Sequence, residues 1–216
     1  MIVYGRNAVR EAQRGRRRVL RVWERSEVAD EELERLCGSP DHQGIVAEVE
    51  PYPYADAAGL LAAEDALVVA LDRIEDPQNL GAICRSAEGA GAAGVVIPGR
   101  GAAQVTPAVC RASAGAVEHL AIARVRNLAD FLAQAKDAGA WVYGAEAGAP
   151  TVHWEPDYRG KVVVVLGSEG RGLRPRVRAT CDRLVALPLR GRLEALNVAG
   201  TAAALLYEIV RQRTES

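Results

Sequence analysis

The chain has 216 residues, 49% of them hydrophobic and 25% charged, with 27 basic against 28 acidic side chains for a formal net charge of −1. That length accommodates one well-filled core and a small appended unit. Cys37, Cys84, Cys110 and Cys181 are scattered without C-x-x-C or Cys/His spacing, which argues against a zinc site, any other metal centre or a disulfide framework, and no apolar run approaches the roughly 18 residues that cross a bilayer or the shorter run of a secretory leader, so a cytoplasmic protein with no membrane partner is expected.

In the first fifty residues GRNAVREAQR predicts a helix, VLRVWE a short alternating strand, ADEELERLC a second helix and GIVAEVE a second strand. The pattern predicts a small α/β domain over residues 1–50, followed by a linker over 51–65 that opens with the prolines of PYPYAD. Eight arginines stand against Glu11 and Glu24 within residues 1–25. The run holding Arg16, Arg17 and Arg18 reads either as a phosphate-contacting patch, since guanidinium forks pair bidentately with phosphate, or as a solvated face of an arginine-rich chain whose only lysines are Lys136 and Lys161. His42 is read with the same unit, as a structural or substrate-contacting residue rather than a catalyst.

Beyond the linker, ALVVALDRI predicts a buried strand, NLGAICRSAEGAG a helix, GVVIP a strand, and TPAVCRASAG a helix with Pro107 in its first turn. HLAIARV, a helix capped by Asn127 and the strand AWVYGAEA continue the alternation. Wholly apolar strands interleaved with helices predict an α/β fold in which a parallel sheet is covered on both faces, its pocket beyond the carboxyl ends of the strands. Gly89, Gly91 and Gly94 satisfy G-x-G-x-x-G, but here the glycines close a helix instead of opening one, so a helix stop is expected and a dinucleotide site is not.

The stretch from Lys161 to Tyr207 carries the most information. An apolar strand stops at Gly167, a glycine-rich turn bears Glu169, a second strand ends near Pro188, and a helix opens at Asn197. Two strand ends and a helix N-terminus converging this way expose backbone groups to a ligand, with Glu169 and Asn197 close by. Taken singly, Glu169 reads equally as a turn cap and Asn197 as a plain helix cap. The final helix presents Leu196, Ala199, Ala203, Leu206, Tyr207 and Val210 as one apolar stripe, part of which is assigned to a dimer contact because Gly200 and the alanines permit close approach.

Together, DPQNLGAICRSAEGAG (76–91), VVLGSEGRGL (164–173) and LPLRGRLEALNVAGTAAALLYE (187–208) resemble the three motifs of the SpoU/TrmH family of RNA 2′-O-ribose methyltransferases, in their order and spacing. The first fifty residues resemble that family's substrate-binding domain, so the resemblance covers nearly the whole chain. It implies a knotted domain over 66–216, with the C-terminal segment threaded through a deep trefoil knot, S-adenosylmethionine as methyl donor, and a homodimer. The resemblance also implies the site. Asn79 lies in the first motif, Arg85 matches its arginine acting on the ribose 2′-hydroxyl, Glu169 the second-motif carboxylate and Asn197 the third-motif asparagine, while Gly167, Leu187 and Leu196 match positions whose backbones hold the cofactor. A guanidinium does not release its proton under working conditions, so Arg85 is expected to stabilise the developing alkoxide or grip a phosphate rather than act as base.

Ala195 replaces the serine that usually precedes Leu-Asn in the third motif, and the N-terminal domain is short for the family. The expectation is a methyltransferase acting on a guanosine ribose in 23S ribosomal RNA. A tRNA guanosine methyltransferase and an RNA-binding, cofactor-binding protein with little catalysis are the alternatives.

Overall fold

The computed structural model describes residues 1–215. Its first unit is a three-stranded antiparallel sheet in the order β1-β3-β2, made by β1 (Ile2–Tyr4), β2 (Val19–Glu24) and β3 (Ile45–Val49), with α1 (Arg6–Arg14) and α2 (Asp30–Cys37) packed on it. α1 buries Ala8, Val9 and Ala12, the spacing of one helical face, and Gly38 ends α2 in the left-handed conformation at φ 68°.

The second unit is a seven-stranded sheet, parallel at every pairing, in the order β6-β5-β4-β9-β7-β10-β8. Its strands are β4 (Leu67–Asp72), β5 (Gly94–Pro98), β6 (Ile122–Val125), β7 (Trp141–Ala145), β8 (Thr151–Val152), β9 (Val162–Gly167) and β10 (Arg183–Ala186). β9 enters between β4 and β7, pairing Leu67 to Asp72 on one side and Trp141 to Ala145 on the other. The uninterrupted apolar runs LVVALD, GVVIP and VVVVLG are explained by that position, because a strand with helices on both faces has no solvent side to make polar.

Alternation across the pleat sorts the core into two layers. Leu67, Val69, Leu71, Val162, Val164 and Leu166 face the layer that includes α3 (Pro77–Gly89), α4 (Pro107–Ala112) and α7 (Val198–Thr214). Val68, Ala70, Val163 and Val165 face α5 (Leu128–Asp137) and α6 (Pro175–Thr180). α3 and α4 approach closely at Gly81, where a β-carbon would sit 2.8 Å from the Ser113 amide. A larger residue there overpacks the seam at a cost of roughly 1–3 kcal/mol.

Residues 51–65, expected as a linker, are stitched to the large unit: Tyr52 Oη donates to the Leu120 carbonyl at 2.6 Å, the Val105 amide donates to Tyr54 Oη at 2.9 Å, and Leu60 and Leu61 are buried. The glycines after α3 behave as expected, with Gly91 at φ 69° ending the helix and Gly94 opening β5. β1, β8 and α6 were not anticipated, and each is short or lacks apolar periodicity. Among the described residues no helix is long and apolar enough to cross a membrane.

Two readings need correction. Arg17 is 5% exposed; its Nε donates to Glu118 Oε2 at 2.9 Å and its Nη1 to the Glu50 carbonyl at 3.1 Å, so it is a buried tie and not a phosphate contact. His42 is also buried, its Nδ1 accepting from the Gly44 amide at 3.1 Å in closing a turn, so of its two readings the structural one holds and the RNA contact does not. Arg16 and Arg18 remain exposed, Arg16 donating to the His119 carbonyl at 3.0 Å. The stripe on the last helix is likewise shifted. Val198, Ala202, Leu205, Leu206 and Ile209 are the buried face, whereas Tyr207 is exposed and Leu196 lies before the helix.

Candidate functional site

The site forms where chain ends meet at the carboxyl edge of the large sheet. α3 starts there by a sequence-encoded device: Asp76 caps it, accepting from the Gln78 amide at 2.9 Å, and Pro77 takes the first helical position, where no backbone N–H is needed. This start sets Gln78 and Asn79 in the first turn. On the neighbouring strand, β9 runs out at Gly167 into the turn Ser168 to Gly172, closed by the Gly172 amide donating to the Ser168 carbonyl at 2.8 Å, with Gly170 and Gly172 at φ 73° and 63°. Only glycine fits position 167, because a β-carbon there would lie 2.6 Å from the Gly172 carbonyl oxygen.

Three side chains converge on this turn. Glu169 Oε1 accepts from Asn197 Nδ2 at 2.6 Å, from Asn79 Nδ2 at 3.2 Å and from the Val198 amide at 3.4 Å, and Asn197 Nδ2 also donates to Asn79 Oδ1 at 3.0 Å. Asn197 does double duty, since its Oδ1 accepts from the Ala199 amide at 2.8 Å and caps α7. Glu169 therefore sits at a helix N-terminus, where partial positive charge favours a carboxylate. Its Oε2 has no protein partner among the described residues, so one oxygen is free to accept a hydroxyl hydrogen.

A cavity of about 270 Å³ adjoins this triangle, lined by Arg73, Asp76, Asn79, Glu169 and Arg171 among others. Neither Arg73 nor Arg171 has a partner among the described residues, and Arg73 holds the left-handed conformation at φ 62°. Behind them Asp72, fully buried at the end of β4, accepts from the Arg174 amide at 2.8 Å and from Arg174 Nε at 2.7 Å. That pair pins the far side of the Gly167–Gly172 turn to the central strand. The sequence reading missed Asp72, Arg73 and Arg171; the signal was a lone aspartate ending the apolar run LVVALD, with an arginine directly behind it.

Asn79, Glu169 and Asn197 are thus brought together. Arg85 is not: it is exposed on α3, without a partner among the described residues, and does not line the cavity. Asp72, the buried carboxylate at the end of β4, is taken by Arg174 and does not reach Arg85. Gly167 ends β9, Leu187 is half-buried just beyond β10, and Leu196 is 45% exposed immediately before Asn197.

Residues 66–207 match the SpoU rRNA methylase family, and residues 24–55 match the substrate-binding domain of RNA 2′-O ribose methyltransferases. Among the relatives, an uncharacterized tRNA/rRNA methyltransferase of Mycolicibacterium vanbaalenii is 46% identical over 192 residues, covering 87% of this chain and 61% of its own, and another, slr0955 of Synechocystis sp., is 37% identical over 98% of this chain and 62% of its own. The chain thus spans about three fifths of the length of these relatives. The crystal structure of the SpoU methyltransferase AviRb from Streptomyces viridochromogenes, in complex with the cofactor AdoMet, superposes with a TM-score of 0.84 at 27% identity, covering 100% of this chain and 91% of that one. With a matched segment that takes in the parallel sheet, the glycine turn and the asparagine-capped last helix, this chain belongs to the SpoU rRNA methylase family.

Proposed function

We propose that the protein is an S-adenosylmethionine-dependent RNA methyltransferase that modifies a ribose 2′-hydroxyl. The observation that carries this reading is the triangle of Asn79, Glu169 and Asn197 beside a cavity edged by Arg73 and Arg171. The donor set suits the cofactor: backbone groups at the ends of β9 and β10 and before α7, around Gly167, Leu187 and Leu196, offer polar contacts for an adenine edge, and the two leucines add apolar surface. When bound, the cofactor supplies an electrophilic methyl group.

The protein's own part is orientation and proton removal. The two asparagine amides hold Glu169 through Oε1 so that Oε2 is free to accept the hydrogen of an incoming hydroxyl. Arg73 and Arg171 supply positive charge for a flanking phosphate or the developing alkoxide. In this reading Arg85, standing outside the cavity, reaches the ribose from a second copy of the chain, in a homodimer formed through the exposed Leu193, Leu196 and Tyr207. The trefoil threading of the C-terminal segment, the division at residues 50 and 65, and a cytoplasmic setting belong to the same proposal.

The substrate proposed first is a guanosine of 23S ribosomal RNA, with tRNA second; both classes appear in the names of the relatives. The test is transfer of labelled methyl groups to unmodified transcripts of each, followed by alkaline hydrolysis, which leaves 2′-O-methylated dinucleotides uncleaved. Label in such dinucleotides from one transcript identifies the substrate. Donor binding without any label in either supports the binding-only reading, which Ala195 and the remote Arg85 favour.

A further inference from the structure

A second cavity, of about 250 Å³, lies at the seam between the small unit and the large sheet's helices, bordered by Tyr4, Asn7, Gln43, Gln78, Arg111 and Ala114. Its chemistry differs from that of the first. Three carboxamides border it, from α1, from the turn before β3 and from the first turn of α3, and those of Asn7 and Gln78 have no partner among the described residues. Gln43 Oε1 accepts from the Arg6 amide at 2.9 Å, leaving its Nε2 to donate. Carboxamides offer donors and acceptors side by side without charge, the pattern that matches a nucleobase edge. Arg111 adds a plane: its guanidinium carbon lies 5.5 Å from the centroid of the Tyr4 ring and its side chain is 30% exposed. Arginine planes and aromatic rings are the surfaces on which unpaired bases stack.

Backbone strain singles out the same place. Three non-glycine residues have positive φ among the described residues: Gln43 at 55°, Arg73 at 62° and Ala114 at 53°. Arg73 borders the cavity beside Glu169, and the other two border the seam cavity. Such conformations cost of order 1 kcal/mol or more and collect where function demands a fixed geometry. Gly5, at φ 90°, belongs to the same floor, for a β-carbon there would press on Arg111 Nη1 at 3.0 Å and Gln43 Oε1 at 3.4 Å.

We propose that this seam cavity is a base-reading pocket that takes an unpaired nucleobase of the RNA near the methylated ribose. The connection is direct, because Gln78 borders the seam and Asn79, the next residue, borders the reaction cavity, their α-carbons about 3.8 Å apart across a trans peptide. A base held by Gln78 and Asn7 and stacked on Arg111 sets which nucleotide presents its sugar to Glu169. The proposal rests on the reading of the chain as an RNA methyltransferase.

The test uses the full chain with Asn7→Ala and Gln78→Ala, which remove unpartnered carboxamides, and with unmodified 23S rRNA and tRNA transcripts as probes. Three quantities are followed: donor affinity by calorimetry, RNA affinity by filter binding, and kcat/KM for methyl transfer. Each variant is expected to lose about tenfold in RNA affinity and in kcat/KM for the preferred transcript, the scale of one lost base-edge contact, with donor affinity unchanged. Wild-type RNA affinity and kcat/KM in both variants overturn the pocket while leaving the methyltransferase reading intact. If the wild-type protein neither binds the donor nor methylates either transcript, the functional reading fails and the pocket, which rests on it, falls with it.

Discussion

Arg17 and Glu118 form a buried ion pair across the two units, with side chains 2% and 1% exposed and Arg17 Nε 2.9 Å from Glu118 Oε2. The same guanidinium reaches the Glu50 carbonyl, so three segments distant in sequence meet on one cation. Removing one partner strands the other charge without water. Arg17→Met or Glu118→Leu alone is therefore expected to lower unfolding free energy by about 3–5 kcal/mol, and the double variant by less than the sum. Urea denaturation of the four proteins reads this; additive losses would show that the two side chains do not act as a pair.

Glu169→Gln keeps the size of the side chain and removes its charge. Methyl transfer is expected to fall by about 10²- to 10⁴-fold, the range for loss of a positioned proton acceptor, with donor affinity little changed. Asn197→Ala strips the same carboxylate of its shortest hydrogen bond and also uncaps α7, so it should lose both activity and about 1 kcal/mol of stability. A fully active Glu169→Gln protein would remove this residue from the chemistry.

Gly167→Ala forces a methyl group against the Gly172 carbonyl, and because backbone cannot swing aside as a side chain can, the turn must open. The expected result is a folded protein whose affinity for S-adenosylmethionine falls by about tenfold or more, equivalent to at least about 1.4 kcal/mol. Calorimetry checks it, with Gly170→Ala as a comparison: a β-carbon there meets nothing within 4 Å, so any loss reflects only its φ of 73°.

Glu11 ties α1 to the segment before β6: Arg10 Nε donates to its Oε1 at 2.9 Å and His119 Nε2 lies 3.0 Å from its Oε2. Those hydrogen bonds, Arg10's first, hold its carboxyl below the ordinary value of 4.5. A folded-state value below the unfolded one gives stability that is present above about pH 4.5 and lost as pH falls through the depressed value. Acid titration of unfolding is thus expected to show a shallower loss in Glu11→Gln than in the wild type, and identical slopes below pH 5 would contradict it.

Much of this was legible in the sequence, for identifiable reasons. The apolar runs of β4, β5 and β9 declared strands buried on both faces, and Asn127 and Asn197 declared the starts of α5 and α7 because a cap needs only local chemistry. Glu169 and Asn197 could be paired in advance since their segments follow one another around a single pocket. Arg17 could not be separated from Arg16 and Arg18, because its fate depends on Glu118, 101 residues away. His42 was hidden similarly, by a turn whose closure depends on the positive φ of Gln43. Strand β8, two residues long, and helix α6, with Val177 as its single buried residue, carry too little pattern to be seen.

The place of β9 in the sheet also constrains how the molecule is made. β4 and β7 have no pairing with each other and are joined only through β9, which follows both in the chain. A polypeptide that ends between Ala145 and Val162 thus contains β4, β5, β6 and β7 without the strand that joins β4 to β7. Lacking β9, such a fragment turns the edges of β4 and β7 to water with their backbone groups unpaired, the condition under which strands associate with other chains.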